Sequence, residues 1–291
     1  MKETISIRLV NTLEKGKAHL SEDALRQVRS FVSSQMADDC AFRNKGGKSD
    51  LYYTVFGWML CYVLGIKLDS GKMKNYLARQ KPDEFDLIHY AAYMRCSILA
   101  DLSKNGKLMT WLGSLKSKKT KDITEFSGIP HDDPNSPYTQ FIWLSLLEDT
   151  GNKPTNRAEI LANLSDYQLE KGGFRNMPNG LGASTNATVA ALSVKGQLEG
   201  YKPNRDVQFL KNLQQENGGF FAASASPVPD LLSTATALFI LQCYKEKPRY
   251  SATEFLEAHW LETGGFCPTL IDETSDVEYT FYGLLALGTI D

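Results

Sequence analysis

Glu170-Lys171-Gly172-Gly173-Phe174-Arg175-Asn176 reads as a helix end running into a turn, and the chain repeats it. Glu216-Asn217-Gly218-Gly219-Phe220 and Glu262-Thr263-Gly264-Gly265-Phe266 follow, each phenylalanine 46 residues after the last. A fixed period of this length marks a repeat architecture. Glycine just past a helix end supplies the left-handed backbone that other residues resist. Ahead of each turn runs a charged, amphipathic segment, such as DVQFLKNLQQEN. Behind it comes a polar loop and then a segment almost free of charge: STNATVAALSV, LLSTATALFILQCY or VEYTFYGLLALG. A helix with one polar face lies on a surface, and a helix apolar all round is buried. Each unit is therefore outer helix, turn, loop, inner helix.

The first half carries worn copies. Ser49-Asp50-Leu51-Tyr52-Tyr53-Thr54 matches Ser275-Asp276-Val277-Glu278-Tyr279-Thr280, and Phe42 stands 132 residues, three steps of 44, before Phe174. Inner helices are expected near residues 50, 86, 138, 185, 230 and 276. Strand patterns are scarce. The expectation is one all-α domain over residues 1–291, an α/α toroid (α6/α6 barrel) of about six helix pairs. An open solenoid is the alternative, but the likeness of the first and last units favours a ring. Ser21 is expected to cap an outer helix, and Ser251 with Glu254 and Asn156 with Glu159 to form capping boxes.

Composition bounds the rest. Hydrophobic residues make up 42% and charged residues 23% of the 291, an ordinary globular balance. The formal net charge of −2 offers no broad basic face for nucleic acid. Five cysteines, none in a close pair, suggest reduced thiols. No apolar run before a small-residue cleavage site suggests a signal peptide, and none reaches the length of a membrane span. A cytoplasmic protein is expected.

Gln168-Leu-Glu-Lys-Gly172-Gly-Phe174 and Gln214-Gln-Glu-Asn-Gly218-Gly-Phe220 resemble the Gln-x-x-x-Gly-x-aromatic repeat of the prenyltransferase and squalene cyclase superfamily. That resemblance implies an α/α toroid around a central cavity that takes isoprenoid ligands. The β subunits of protein prenyltransferases place zinc ligands on two inner helices. Asp230 stands where the family has Asp, but Leu232 replaces the Cys, and Glu278 and Tyr279 occupy the neighbourhood of the His. Catalytic zinc needs three protein ligands, so zinc-dependent transfer is disfavoured and no metal or cofactor is expected. Triterpene cyclases use an Asp-x-Asp-Asp acid; Asp132-Asp133 comes nearest, in a turn-rich loop where carboxylates also suit magnesium.

The acids Asp50, Asp86, Asp230 and Asp276 fall at inner-helix starts, where capping alone explains them. Asp276, Glu278, Asp50 and Asp230 are the candidate acid groups for catalysis. Tyr52, Tyr53, Tyr279 and Tyr282 are expected to line the cavity, Arg43 and Arg175 to face any phosphate, and His89 to serve as an acid or base. Further aromatics, Phe56, Trp58, Phe141, Trp143, Phe239 and Phe281, would line a greasy cavity, whereas Trp58, Trp143 and Tyr282 filling its centre would plug it. The basic run from Lys116 to Lys121 reads as solvated loop. The expected function is binding an isoprenoid or similar hydrophobic molecule, with prenyl transfer or cyclisation as the reaction class. A non-catalytic scaffold for ligands or a protein partner is the alternative.

Overall fold

The computed structural model describes residues 3–105, 121–180, 182–202 and 205–290. The chain is predominantly helical, an α/α toroid. Residues 116–120 of the basic run lie outside the described residues, as does the stretch where a third outer helix would fall. Helix α1 spans Ile5–Ala18. Outer helices are α2 (Glu22–Ser34), α4 (Ser70–Ala78), α7 (Arg157–Leu164), α9 (Arg205–Asn212) and α11 (Thr253–His259). Inner helices are α3 (Leu51–Leu64), α5 (Leu87–Asn105), α6 (Pro137–Asp149), α8 (Thr185–Glu199), α10 (Leu231–Cys243) and α12 (Val277–Leu287). Each inner helix packs on the next, and α12 packs back on α3, so the ring closes.

The largely apolar inner helices form because their N-termini are capped and their flanks buried. Asp50, Asp86, Ser136, Ser184, Asp230 and Asp276 each accept a backbone N–H from three residues on. Such a cap is worth about 1 kcal/mol. In four units the turn is stapled to its inner helix in the same way. The N–H of Phe42, Phe174, Phe220 and Phe266 donates to the hydroxyl of Thr54, Thr188, Thr234 and Thr280. Each hydroxyl donates in turn to the carbonyl of the cap residue, 2.6–2.7 Å away. The four rings are at most 1% exposed, and burying each contributes about 2–3 kcal/mol.

Two two-residue hairpins, Phe42–Arg43 with Ser49–Asp50 and Phe220–Phe221 with Pro229–Asp230, tie turns to inner-helix starts. Ser21 caps α2 as expected. Helix α11 instead starts at Thr253, and the Ser251 hydroxyl accepts the Thr253 N–H, so no capping box forms there. At α7 the Asn156 and Glu159 side chains bond each other rather than the backbone.

Helix α1 has no counterpart in the repeat. It crosses the C-terminal ends of the inner helices. Ser6 Oγ donates to Asp149 at the end of α6, and Lys17 Nζ to the Val63 carbonyl near the end of α3. A Cβ on Gly16 would lie 2.0 Å from the Leu284 carbonyl oxygen, so only glycine lets α1 settle on α12. The ring is thus floored at one end.

Candidate functional site

A cavity of about 390 Å³ runs along the ring axis, bounded by all six inner helices and by Ile5, Ser6 and Leu9 of α1. Its lining follows one register. Residues two, five, six and nine after each cap face inward: Tyr52, Val55, Phe56 and Met59 on α3, and Glu278, Phe281, Tyr282 and Leu285 on α12. Ile88, Ala91, Ala92 and Arg95 do the same on α5, and Asn186, Val189, Ala190 and Ser193 on α8. On α6 and α10 the same positions line the cavity except Ser145 and Ala235. This is the spacing of one helix face, set in phase by the cap.

The wall from α3 and α12 is aromatic. Tyr52 and Phe56 meet edge to face at 5.0 Å between ring centroids, and Phe56 and Phe281 at 5.1 Å. Across the axis, α6 adds Tyr138 and Phe141, while Ala190 of α8 and Ala91 and Ala92 of α5 are small, and these small residues leave the space. Among the described residues, no tryptophan fills it. Trp58 is buried behind α3, its indole N–H on the Cys40 carbonyl at 2.7 Å, and Trp143 also lies off the lining.

Glu278 is the acidic side chain on the lining. The Tyr52 hydroxyl donates to its Oε1 at 2.7 Å. Burial pushes the Glu278 carboxyl up, the Tyr52 hydrogen bond pulls it back, and Asp276 adds to the rise. Burial also raises the Tyr52 and Tyr282 hydroxyls, which stay neutral donors. His131 and Asn176 reach the cavity from loops at the inner-helix N-termini, His131 in the left-handed region at φ +59°.

Of the expected site residues, the cavity gathers Glu278, Tyr52 and Tyr282. Tyr53 and Tyr279 stand three residues after their caps and face elsewhere; Lys45 Nζ lies 5.5 Å from the Tyr279 ring centre. Arg43 and Asp276 meet in a second pocket of about 320 Å³, with Lys45, Asn44 and Gln35. Asp50 and Asp230 cap their helices. Burial raises the Asp230 and Asp276 carboxyls. Arg175 clamps its own loop through the Gly180 and Asp166 carbonyls. His89 Nδ1 pairs with Asp86 at 2.9 Å, off the cavity lining. Asp133 accepts the Tyr167 hydroxyl and the Asn135 N–H, which pins the loop. Among the described residues, no group of three or more His, Cys, Asp or Glu side chains could hold a metal ion. Among them, too, no helix is long and apolar enough to cross a membrane.

Arg95 and the floor helix α1 went unread in the sequence. Arg95 is found by counting nine residues from Asp86. Ile5, Leu9 and Leu13 carry helical spacing, but no repeat turn announces α1.

The ring is shared with solved proteins. The apo type II terpene cyclase MstE from Scytonema matches at TM-score 0.52 and 12% identity, over 92% of this chain and 96% of that one. A variant of that cyclase in complex with geranylgeranyl dihydroxybenzoate matches at TM-score 0.52 and 12% identity, over 97% of each chain. Protein geranylgeranyltransferase-I of Candida albicans, complexed with GGPP, gives TM-score 0.47 and 12% identity over 99% of this chain and 84% of that one. For the two cyclase structures, at such identities, the likeness is one of fold. No curated protein sequence matches the chain. The family model of the prenyltransferase alpha-alpha toroid domain matches residues 85–220 and 188–291, and the chain belongs to that family.

Proposed function

We propose that the protein binds an isoprenoid or similar hydrocarbon chain along the ring axis. The carrying observation is the cavity itself: about 390 Å³, lined by aromatic rings with small residues on α5 and α8, and with one half-buried carboxyl near its N-terminal end. That volume falls in the range of small-molecule pockets, about 300–1,000 Å³. A toroid of the same fold holds geranylgeranyl dihydroxybenzoate, which supports the reading.

The chemistry such a site supports is acid-initiated. Burial favours the protonated form of Glu278. Given to an alkene carbon, that proton leaves a carbocation on the chain and a carboxylate that the Tyr52 hydroxyl stabilises. The faces of Phe56, Phe281 and Tyr282 would stabilise the cation. The Glu278 carboxylate then takes a proton from a neighbouring carbon, which restores the acid. Asp276 and Arg43 would flank this site in the second pocket, and Asp50, Asp230, Tyr53 and Tyr279 would shape the rim through their helix starts. Zinc-dependent transfer is disfavoured because Leu232 stands where a thiolate ligand is required.

A non-catalytic scaffold is the second reading. It is favoured by the use of Asp50, Asp230 and Asp276 as helix caps. Thermal unfolding with farnesol or geranylgeraniol tests binding, because a ligand that prefers the native state raises the midpoint. An unmoved midpoint with both ligands at saturating concentration would count against it. Product analysis with wild type and Glu278→Gln separates the readings: turnover lost in the variant supports the acid role, and absence of turnover in both supports the scaffold.

A further inference from the structure

Arg95 is the basic side chain on the cavity lining. It stands nine residues after its cap, in the deepest layer, beside Ser6 of the floor helix. A guanidinium carries five N–H donors in a planar fork. Its Nε donates to Asp149 Oδ2 at 2.9 Å, and that oxygen also accepts the Ser6 hydroxyl at 3.0 Å. Among the described residues, no other hydrogen bond occupies the fork, and the Arg95 side chain keeps 17% exposure while that of Asp149 keeps none. A buried cation is tolerated only when paired. Asp149 pairs it through Nε, and the terminal nitrogens are left as donors for an acceptor in the cavity.

We infer that the floor of the cavity binds a neutral oxygen acceptor, a carbonyl or hydroxyl, at the end of the hydrocarbon chain, with Arg95 as the donor. This rests on the chain-binding reading above. A carboxylate there would place a second negative charge close to Asp149 in a poorly polarisable site, where like charges repel strongly. A plain hydrocarbon would strip water from the Arg95 nitrogens and give nothing back. The ligand therefore sits with its oxygen end down. Seven residues of helix separate the Glu278 and Arg95 layers, so the oxygen lies about 10 Å below the Glu278 carboxyl.

A chain-matched series tests this: farnesene, farnesol, farnesal and farnesoic acid, each measured for affinity by calorimetry. Wild type should bind the alcohol or aldehyde about tenfold more tightly than the hydrocarbon or the acid. Arg95→Met with Asp149→Asn removes the ion pair as a unit, and the new amide oxygen still accepts the Ser6 hydroxyl. In this double variant the oxygen preference should collapse to within about twofold while farnesene still binds. Equal binding across the series in wild type overturns this inference alone, as does tightest binding of the acid, or an oxygen preference that survives in the folded double variant. No binding by any member overturns the chain-binding reading and this inference with it.

Discussion

Gly264 of the last turn lies against the backbone of Gln27 in the first outer helix: a Cβ on Gly264 would sit 2.4 Å from the Gln27 carbonyl. Gly172 meets Arg205 and Gly218 meets Ser251 in the same manner, at the start of the next outer helix. Gly173, Gly219 and Gly265 then approach Phe209, Phe255 and Phe31, four residues further on. The last repeat thus uses the first outer helix as its next neighbour, and this contact closes the ring.

Gly264→Ala should therefore be severe. It must hold a side chain at φ +89° and also clear the Gln27 backbone, whereas Gly47→Ala at φ +75° meets nothing within 4 Å. The Gly47 change should cost about 1–2 kcal/mol, the ordinary cost of left-handed backbone. Gly264→Ala should cost at least about twice that in urea denaturation, given the added clash. Equal losses would mean that the closing contact does not hold the ring.

The threonine staples make a second prediction. Thr234→Val keeps the shape and leaves the Phe220 N–H buried without its acceptor at 2.8 Å. Stability should fall by about 1–3 kcal/mol with an unchanged denaturant slope. A loss near zero would remove the staple from the account of the fold.

Much of this fold is legible from residues. The spacing of the glycine turns and the segments almost free of charge mark the inner helices, and every expected inner start carries its cap. The site was harder to read because lining depends on helix phase. His89, Tyr53 and Tyr279 all stand three residues after a cap and so miss the cavity face. Trp58 stands eight after its cap and turns away from the axis, into the layer behind α3. Arg175 is loop-bound because its fork finds nearby carbonyls first. Arg95 looks like an ordinary surface arginine until its distance from Asp86 is counted.

His259 supplies a pH dependence. It is 1% exposed, and its Nδ1 lies 2.7 Å from the Phe255 carbonyl. Burial lowers its pKa below the usual value. The unfolded chain then binds more protons just below about pH 6.5, so stability rises with pH through that window and is lost as pH falls. His259→Asn should flatten the slope of denaturation midpoint against pH between roughly 5 and 6.5. An unchanged slope would contradict a neutral buried His259.

Glu278 acts with the opposite sign. Its carboxyl is raised by burial, so the native state holds the proton longer and stability declines as pH climbs above about 4.3 toward the folded value. Glu278→Gln should remove that decline. Tyr52→Phe takes away the hydrogen bond that lowers Glu278, so carbon-13 titration of the glutamate should show its pKa rising further. A fall would mean that the Tyr52 bond does not favour the ionised form.

The central claim is that a hydrocarbon chain occupies the ring axis, and its most direct measurement is affinity for a geranylgeranyl-chain probe before and after filling that space. Ala190, a small residue, faces the cavity from α8. Wild type should bind the probe, and a folded Ala190→Trp should bind at least about tenfold more weakly, because the indole takes the volume the chain needs. Equal affinity in the two proteins would place the chain outside the ring and contradict the account.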